Sequence, residues 1–75
     1  MSRRPLFSGQ QIAARPVKRF GFHVARQRGS HIVLSKQTPH GKIVTVVPAH
    51  RQVARGTLRG ILKLAKVTED DFFAP

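Results

Sequence analysis

Four histidines, at positions 23, 31, 40 and 50, are the side chains of this 75-residue sequence with the widest chemical reach near neutral pH. The rest of the inventory makes them stand out. Fourteen Lys and Arg face only three acidic residues, and all three acids, Glu69, Asp70 and Asp71, fall within the last seven positions. Positions 1 to 68 therefore hold no carboxylate. A pair of acids for glycoside hydrolysis, an Asp-supported Ser-His triad and an oxygen cage for Mg²⁺ or Ca²⁺ cannot be assembled from the body of such a chain. Cysteine is absent, so a zinc site would need several of the widely spaced histidines, and no metal or other cofactor is expected. Any general acid-base step falls to histidine.

His31 has the most specific setting. It ends the stretch Arg26-Gln27-Arg28-Gly29-Ser30-His31, in which Gly29 can take a positive φ at no steric cost. Gly29-Ser30 reads as the bend of a β-hairpin with His31 first on the returning strand. His50 follows Pro48 at the close of a β-branched run and is the candidate complement to His31. His23 and His40 read as surface residues, the latter in a loop. Arg26, Arg28, Ser30 and Lys36 lie near the hairpin and are candidate phosphate contacts. Arg59 and Lys63, on the outer side of a basic helix, join them as candidate nucleic-acid-binding residues.

The elements that must position these groups are legible in the periodicities. Ser8 and Gln11 form a capping-box signature, and Ile12, Ala13, Val17 and Phe20 then share one helical face up to Gly21. Pro16 interrupts this helix, at a cost of about 3 kcal/mol for an interior proline, and predicts a kink or a restart. Alternation over Phe22 to Gln27, His31 to Lys36 and Ile43 to Val47 gives three strands. Pairing Lys36 with Lys42 sets Ile32 against Val46 and Leu34 against Val44, with His31 opposite Val47 and pointing away from the core. Phe22 and Val24 join that apolar face only through a three-residue loop or a bulge near Gly29. Leu58, Ile61, Leu62 and Ala65 form an apolar stripe with Thr57 as the expected N-cap, and Thr68 with Asp71 starts a final turn that folds Phe72 or Phe73 onto the core. The five phenylalanines are read as core. The result is a single α+β domain over residues 1–75, ordered α-β-β-β-α, its three-stranded antiparallel sheet covered on one face by two helices, with residues 1–7 as a loose basic arm.

A net charge of +11 points to a polyanionic partner, nucleic acid first. No apolar run reaches the length of a membrane span or a signal peptide, and the lack of cysteine suits the cytoplasm, where the protein is expected.

The blocks Gly21-Phe22, Gly29-Ser30-His31, Val47-Pro48-Ala49-His50, Gly56-Thr57-Leu58-Arg59 with Ile61-Leu62-Lys63, and Thr68 to Phe72 resemble, in order and spacing, the HicA toxins of HicA-HicB toxin-antitoxin systems. The resemblance spans roughly residues 8 to 73. It implies a double-stranded-RNA-binding-like fold and ribosome-independent endonucleolytic cleavage of mRNA. It also implies His31 as the catalytic acid or base, and neutralisation by a HicB-like antitoxin through which alone DNA would be contacted. Pro16 departs from the family's uninterrupted first helix. Lys66 stands where glycine usually ends the last long helix, so that end is expected to be made differently. Two other readings remain open on the sequence: a double-stranded-RNA binder without catalysis, and an inactive toxin remnant that only forms the antitoxin complex.

Overall fold

Residues 6–75 are described by the computed structural model, in which α1 (Gly9–Arg19) precedes β1 (His23–Arg28), β2 (His31–Thr38) and β3 (Gly41–Pro48), followed by α2 (Arg55–Ala65) and α3 (Glu69–Phe73). The strands form one antiparallel sheet in the order β1-β2-β3. This is the expected α+β order, the final turn expected after Thr68 being the short helix α3, where the Thr68 hydroxyl accepts the Asp71 N–H. Among the described residues no helix is long and apolar enough to cross a membrane. Residues 1–5 of the expected basic arm lie outside the described part. Phe7 packs against the core, stacks on Phe73 with ring centroids 5.8 Å apart, and accepts the Val53 N–H at 2.8 Å.

Helix α1 starts as its capping box dictates. The Ser8 hydroxyl accepts the Gln11 N–H at 3.1 Å while the Gln11 side chain accepts the Ser8 N–H at 2.9 Å. The helix runs through Pro16 as one element and does not restart there. Pro16 is buried, and its carbonyl accepts the N–H groups of both Phe20 and Phe22 as the chain leaves the helix through Gly21 at φ +78°.

Helices α1 and α2 cover one sheet face, burying Ile12, Phe22, Ile32, Leu34, Val47, Leu58, Ile61, Leu62 and Ala65, with Phe72 of α3 closing the end. Each fully buried large apolar side chain contributes roughly 1.5–3 kcal/mol. Val53, between Arg51 and Arg55 in the link from β3 to α2, also belongs to this core at 3% exposure. All five phenylalanines pack in or against it, as expected.

Four local expectations are corrected. The β2-β3 register is shifted by one residue: His31 pairs with Pro48, Ile32 with Val47 and Leu34 with Thr45. Val44 and Val46 therefore leave the core and stand about 40% exposed on the other face. Thr45 takes their place because its hydroxyl, fully buried, donates to the Ile61 carbonyl at 2.9 Å and so loses nothing by leaving water. Secondly, the β1-β2 turn is a two-residue one, Arg28 pairing directly with His31, and the bulge that realigns the strand lies upstream at Ala25. Its effect is the one required, since Val24 pairs with Leu34 while Phe22 is buried in the core. Thirdly, Thr57 does not cap α2, which begins at Arg55 behind Ala54 with no side-chain cap. Fourthly, the far end of α2 is not made differently: it keeps the left-handed conformation suited to glycine, carried here by Lys66 at φ 58° and ψ 39°.

The candidate histidine site and the open sheet face

Alternation fixes what the uncovered sheet face presents, because successive side chains of a strand point to opposite sides. Ile32 and Leu34 are in the core, so His31, Val33, Ser35 and Gln37 face away from the helices. Their cross-strand partners complete four rows. Arg28, His31 and Pro48 form the first; Arg26, Val33 and Val46 the second; His23, Ser35 and Val44 the third; Gln37 and Lys42 the last. Directly opposed side chains on one face are about 4.5–5.5 Å apart at Cβ, so Arg28 is an immediate neighbour of His31 and Arg26 a diagonal one.

The end of the sheet that carries His31 is fixed through its backbone. Gly29 at φ +55° with no positive φ at Ser30 is the pattern of a turn whose first central residue must be glycine. The Ser30 carbonyl accepts the Ala49 N–H at 2.6 Å, extending the ladder past Pro48, and the His50 carbonyl accepts the Gly9 N–H at 2.8 Å. Gly9 approaches this segment so closely that a Cβ there would lie 1.8 Å from the Pro48 carbonyl oxygen. The start of α1, the hairpin turn and the segment carrying His50 are thus one locked cluster. His31 and His50 are both exposed. His50 is two residues beyond Pro48, the partner of His31, or about 7 Å of extended chain. That is one residue nearer than the expected register gave.

The structure brings together Arg26, Arg28, Ser30 and His31, with His50 at the same end of the sheet. It does not bring Lys36, Arg59 or Lys63 to them. Lys36 lies on the helix-covered face, half-buried, with Nζ 5.7 Å from the centre of the Phe22 ring. Arg59 and Lys63 are on the solvent side of α2, where Arg59 Nε pairs with Glu69 Oε1 at 3.2 Å. Two residues of the open face escaped the sequence reading: His23, set opposite Ser35, and Lys42. His23 was read as a surface residue, which it is, but not as part of the site, whereas the one-residue register shift carries Lys42, with Val44 and Val46, from the covered face to the open one. The Ser35 hydroxyl is buried beneath this face without a hydrogen-bond partner among the described residues. No three His, Asp or Glu side chains converge as a metal site among the described residues.

A small α+β protein with two helices behind an antiparallel sheet and a histidine at one end of its bare, cationic face is the class that fold and site define. The family model described as the HicA toxin of bacterial toxin-antitoxin systems matches residues 14–67, most of the chain. The chain belongs to this family and is thereby a toxin-type component of a toxin-antitoxin system. No curated protein and no solved structure matches it.

Proposed function

We propose that the chain is a metal-independent endoribonuclease that cleaves mRNA in the cytoplasm, with His31 as general acid or base, and that a HicB-like antitoxin neutralises it. The observation that carries this reading is the row Arg28, His31, Pro48, an exposed histidine paired across the strands with an exposed arginine on a face with no carboxylate. In the reaction the ribose 2′-oxygen loses its proton to an imidazole and bonds to phosphorus. The bond from phosphorus to the 5′-oxygen breaks, and that oxygen takes a proton from a second donor. The products are a 2′,3′-cyclic phosphate and a free 5′-hydroxyl. Arg28 and Arg26 are positioned to stabilise the crowded phosphate as its charge develops. His50 supplies the second proton-transfer group, its place held by the Gly9 and Ser30 backbone contacts. Neutralisation is direct if the antitoxin lays an acidic segment over this cationic end and covers His31.

The test pairs the wild type with His31→Ala on one RNA, scoring binding and cleavage together. Cleavage should fall by about 10²–10⁴-fold while binding stays within a few-fold. Chelator should leave the wild-type rate unchanged, and the 3′ ends should carry cyclic phosphate. A chelator-sensitive reaction leaving a 3′-hydroxyl would overturn the scheme, and cleavage absent from both proteins would leave a binder or an inactive remnant.

A further inference from the structure

The acids are distributed unevenly between the two sides of the molecule. All three acids belong to α3, which is tied into the helix layer by the Arg15 guanidinium on the Phe72 carbonyl at 2.8 Å and by the Arg59–Glu69 pair. Arg19 is likewise engaged, donating to the Ala74 and Pro75 carbonyls. The open sheet face has no acid at all. Its cations, Arg28 and Arg26 at one end and Lys42 at the other, border a strip of Val33, Val44 and Val46, of which the last two are 41% and 39% exposed. Such a face is complementary to a polyanion that also offers flat apolar surface, and nucleotides carry both.

The chemistry at His31 selects the strandedness. Attack by a 2′-oxygen needs that oxygen, the phosphorus and the departing 5′-oxygen nearly in line, a near-attack geometry that a stacked A-form linkage does not offer. The reacting nucleotide must be unstacked, and unstacked RNA exposes the base faces that an apolar strip can cover. Eight-residue strands are about 26 Å long and three strands about 10 Å across, which is the footprint of a few extended nucleotides. From this juxtaposition, and resting on the nuclease reading above, we propose that the open sheet face is a track for single-stranded RNA. The chain runs from His31 towards Lys42, with phosphates on Arg28, Arg26 and Lys42 and bases against Val33, Val46 and Val44. The helix layer takes no part.

Binding is measured by fluorescence anisotropy with a short labelled single-stranded oligouridylate, in a His31→Ala background so that nothing is cleaved. Lys42→Glu and Val44→Glu, both distant from His31, should each weaken binding by about tenfold or more. In the cleaving protein the same changes should raise KM with kcat held within about twofold, as for lost uniform binding. Lys42→Gln and Val44→Thr, which keep the fold under least strain, should show smaller losses in the same direction. Lys18→Glu on the helix layer should change affinity by less than about threefold, the non-local share of one charge. An RNA duplex should compete at least about tenfold less well than the single strand. Undiminished binding in both open-face glutamate variants overturns the track, as does an equal loss in Lys18→Glu or equal competition by duplex. Glutamate variants that bind RNA normally but no longer bind the antitoxin make the face a protein interface instead. The two proposals fail separately: binding lost on this face with no cleavage by any variant keeps the track and removes the nuclease, whereas cleavage with undisturbed binding does the reverse.

Discussion

Lys66 holds a conformation its side chain disfavours. A non-glycine residue in the left-handed region costs roughly 1–2 kcal/mol, because Cβ crowds the following carbonyl. The strain is tolerated because the cap it makes is complete, the Lys66 N–H reaching the Leu62 and Lys63 carbonyls and the Val67 N–H reaching Leu62. Lys66→Gly keeps these bonds and removes the crowding, against some loss of chain entropy. It should raise stability by about 0.5–1 kcal/mol, seen as a rise of roughly 3–6 °C in Tm. An unchanged or lowered Tm would mean that the lysine side chain itself contributes to the cap. At the same scale, the division of labour proposed for His31 and His50 can be read from the leaving group. A linkage with sulfur in place of the 5′-oxygen needs no proton as it departs. If His50 is the acid, His50→Ala should lose about 10²–10⁴-fold in cleavage of ordinary RNA and recover most of it on the 5′-thio substrate, while His31→Ala stays defective on both. Rescue of His31→Ala alone would exchange the two roles. The sequence made the place of His31 legible, because Gly29-Ser30 marks a turn and the residue after it must begin the returning strand. The exposure of His23 was legible too, but the place of the bulge that sets its row was not, since no turn residue announces a bulge at Ala25.

Among the elements, order and core were readable and register was not. β3 carries Ile43, Val44, Val46 and Val47, so apolar residues stand on both of its faces and two registers differing by one residue each offer an apolar match to Ile32 and Leu34. The choice between them is made by Thr45, whose polar character reads as solvent-facing until the Ile61 carbonyl is there to accept its hydroxyl. The facing of His31 survived the error because it depends only on the alternation within β2. Gly9 shows the same limit. As the first residue of a helix it reads as an ordinary position, and only the packing of α1 onto the end of β3 makes a side chain there impossible. Gly9→Ala should destabilise by about 1–3 kcal/mol, measured as a lower urea midpoint with unchanged slope, because the atoms met are backbone and cannot rotate aside. Cleavage measured where the variant is still folded should fall as well, since the same contact holds the segment bearing His50. Full stability in this variant would show that α1 can shift without cost, and the lock proposed for the His50 segment would go with it.

For the molecule as a whole the governing quantity is a net charge of +11 on a body whose Cα radius of gyration is 12.1 Å. At 0.01 M salt the screening length is about 30 Å, so every cation repels every other across the protein; at 0.1 M it is about 10 Å and only near neighbours interact. Self-repulsion of this kind opposes the compact state, and only α3 supplies acids to offset it. Raising salt between these concentrations should therefore stabilise the fold, increasing the urea midpoint. RNA binding should respond in the opposite sense, because each phosphate contact releases a counterion that salt makes harder to release. The slope of that loss separates a local interface from a diffuse one. The three phosphate contacts proposed at Arg26, Arg28 and Lys42 would give a log-log slope of about −2, whereas engagement of most of the basic residues would give about −10. A steep slope would mean that RNA wraps the helix layer too, and a urea midpoint that falls with salt would mean that attractive pairs outweigh repulsion in a chain with no acid before Glu69.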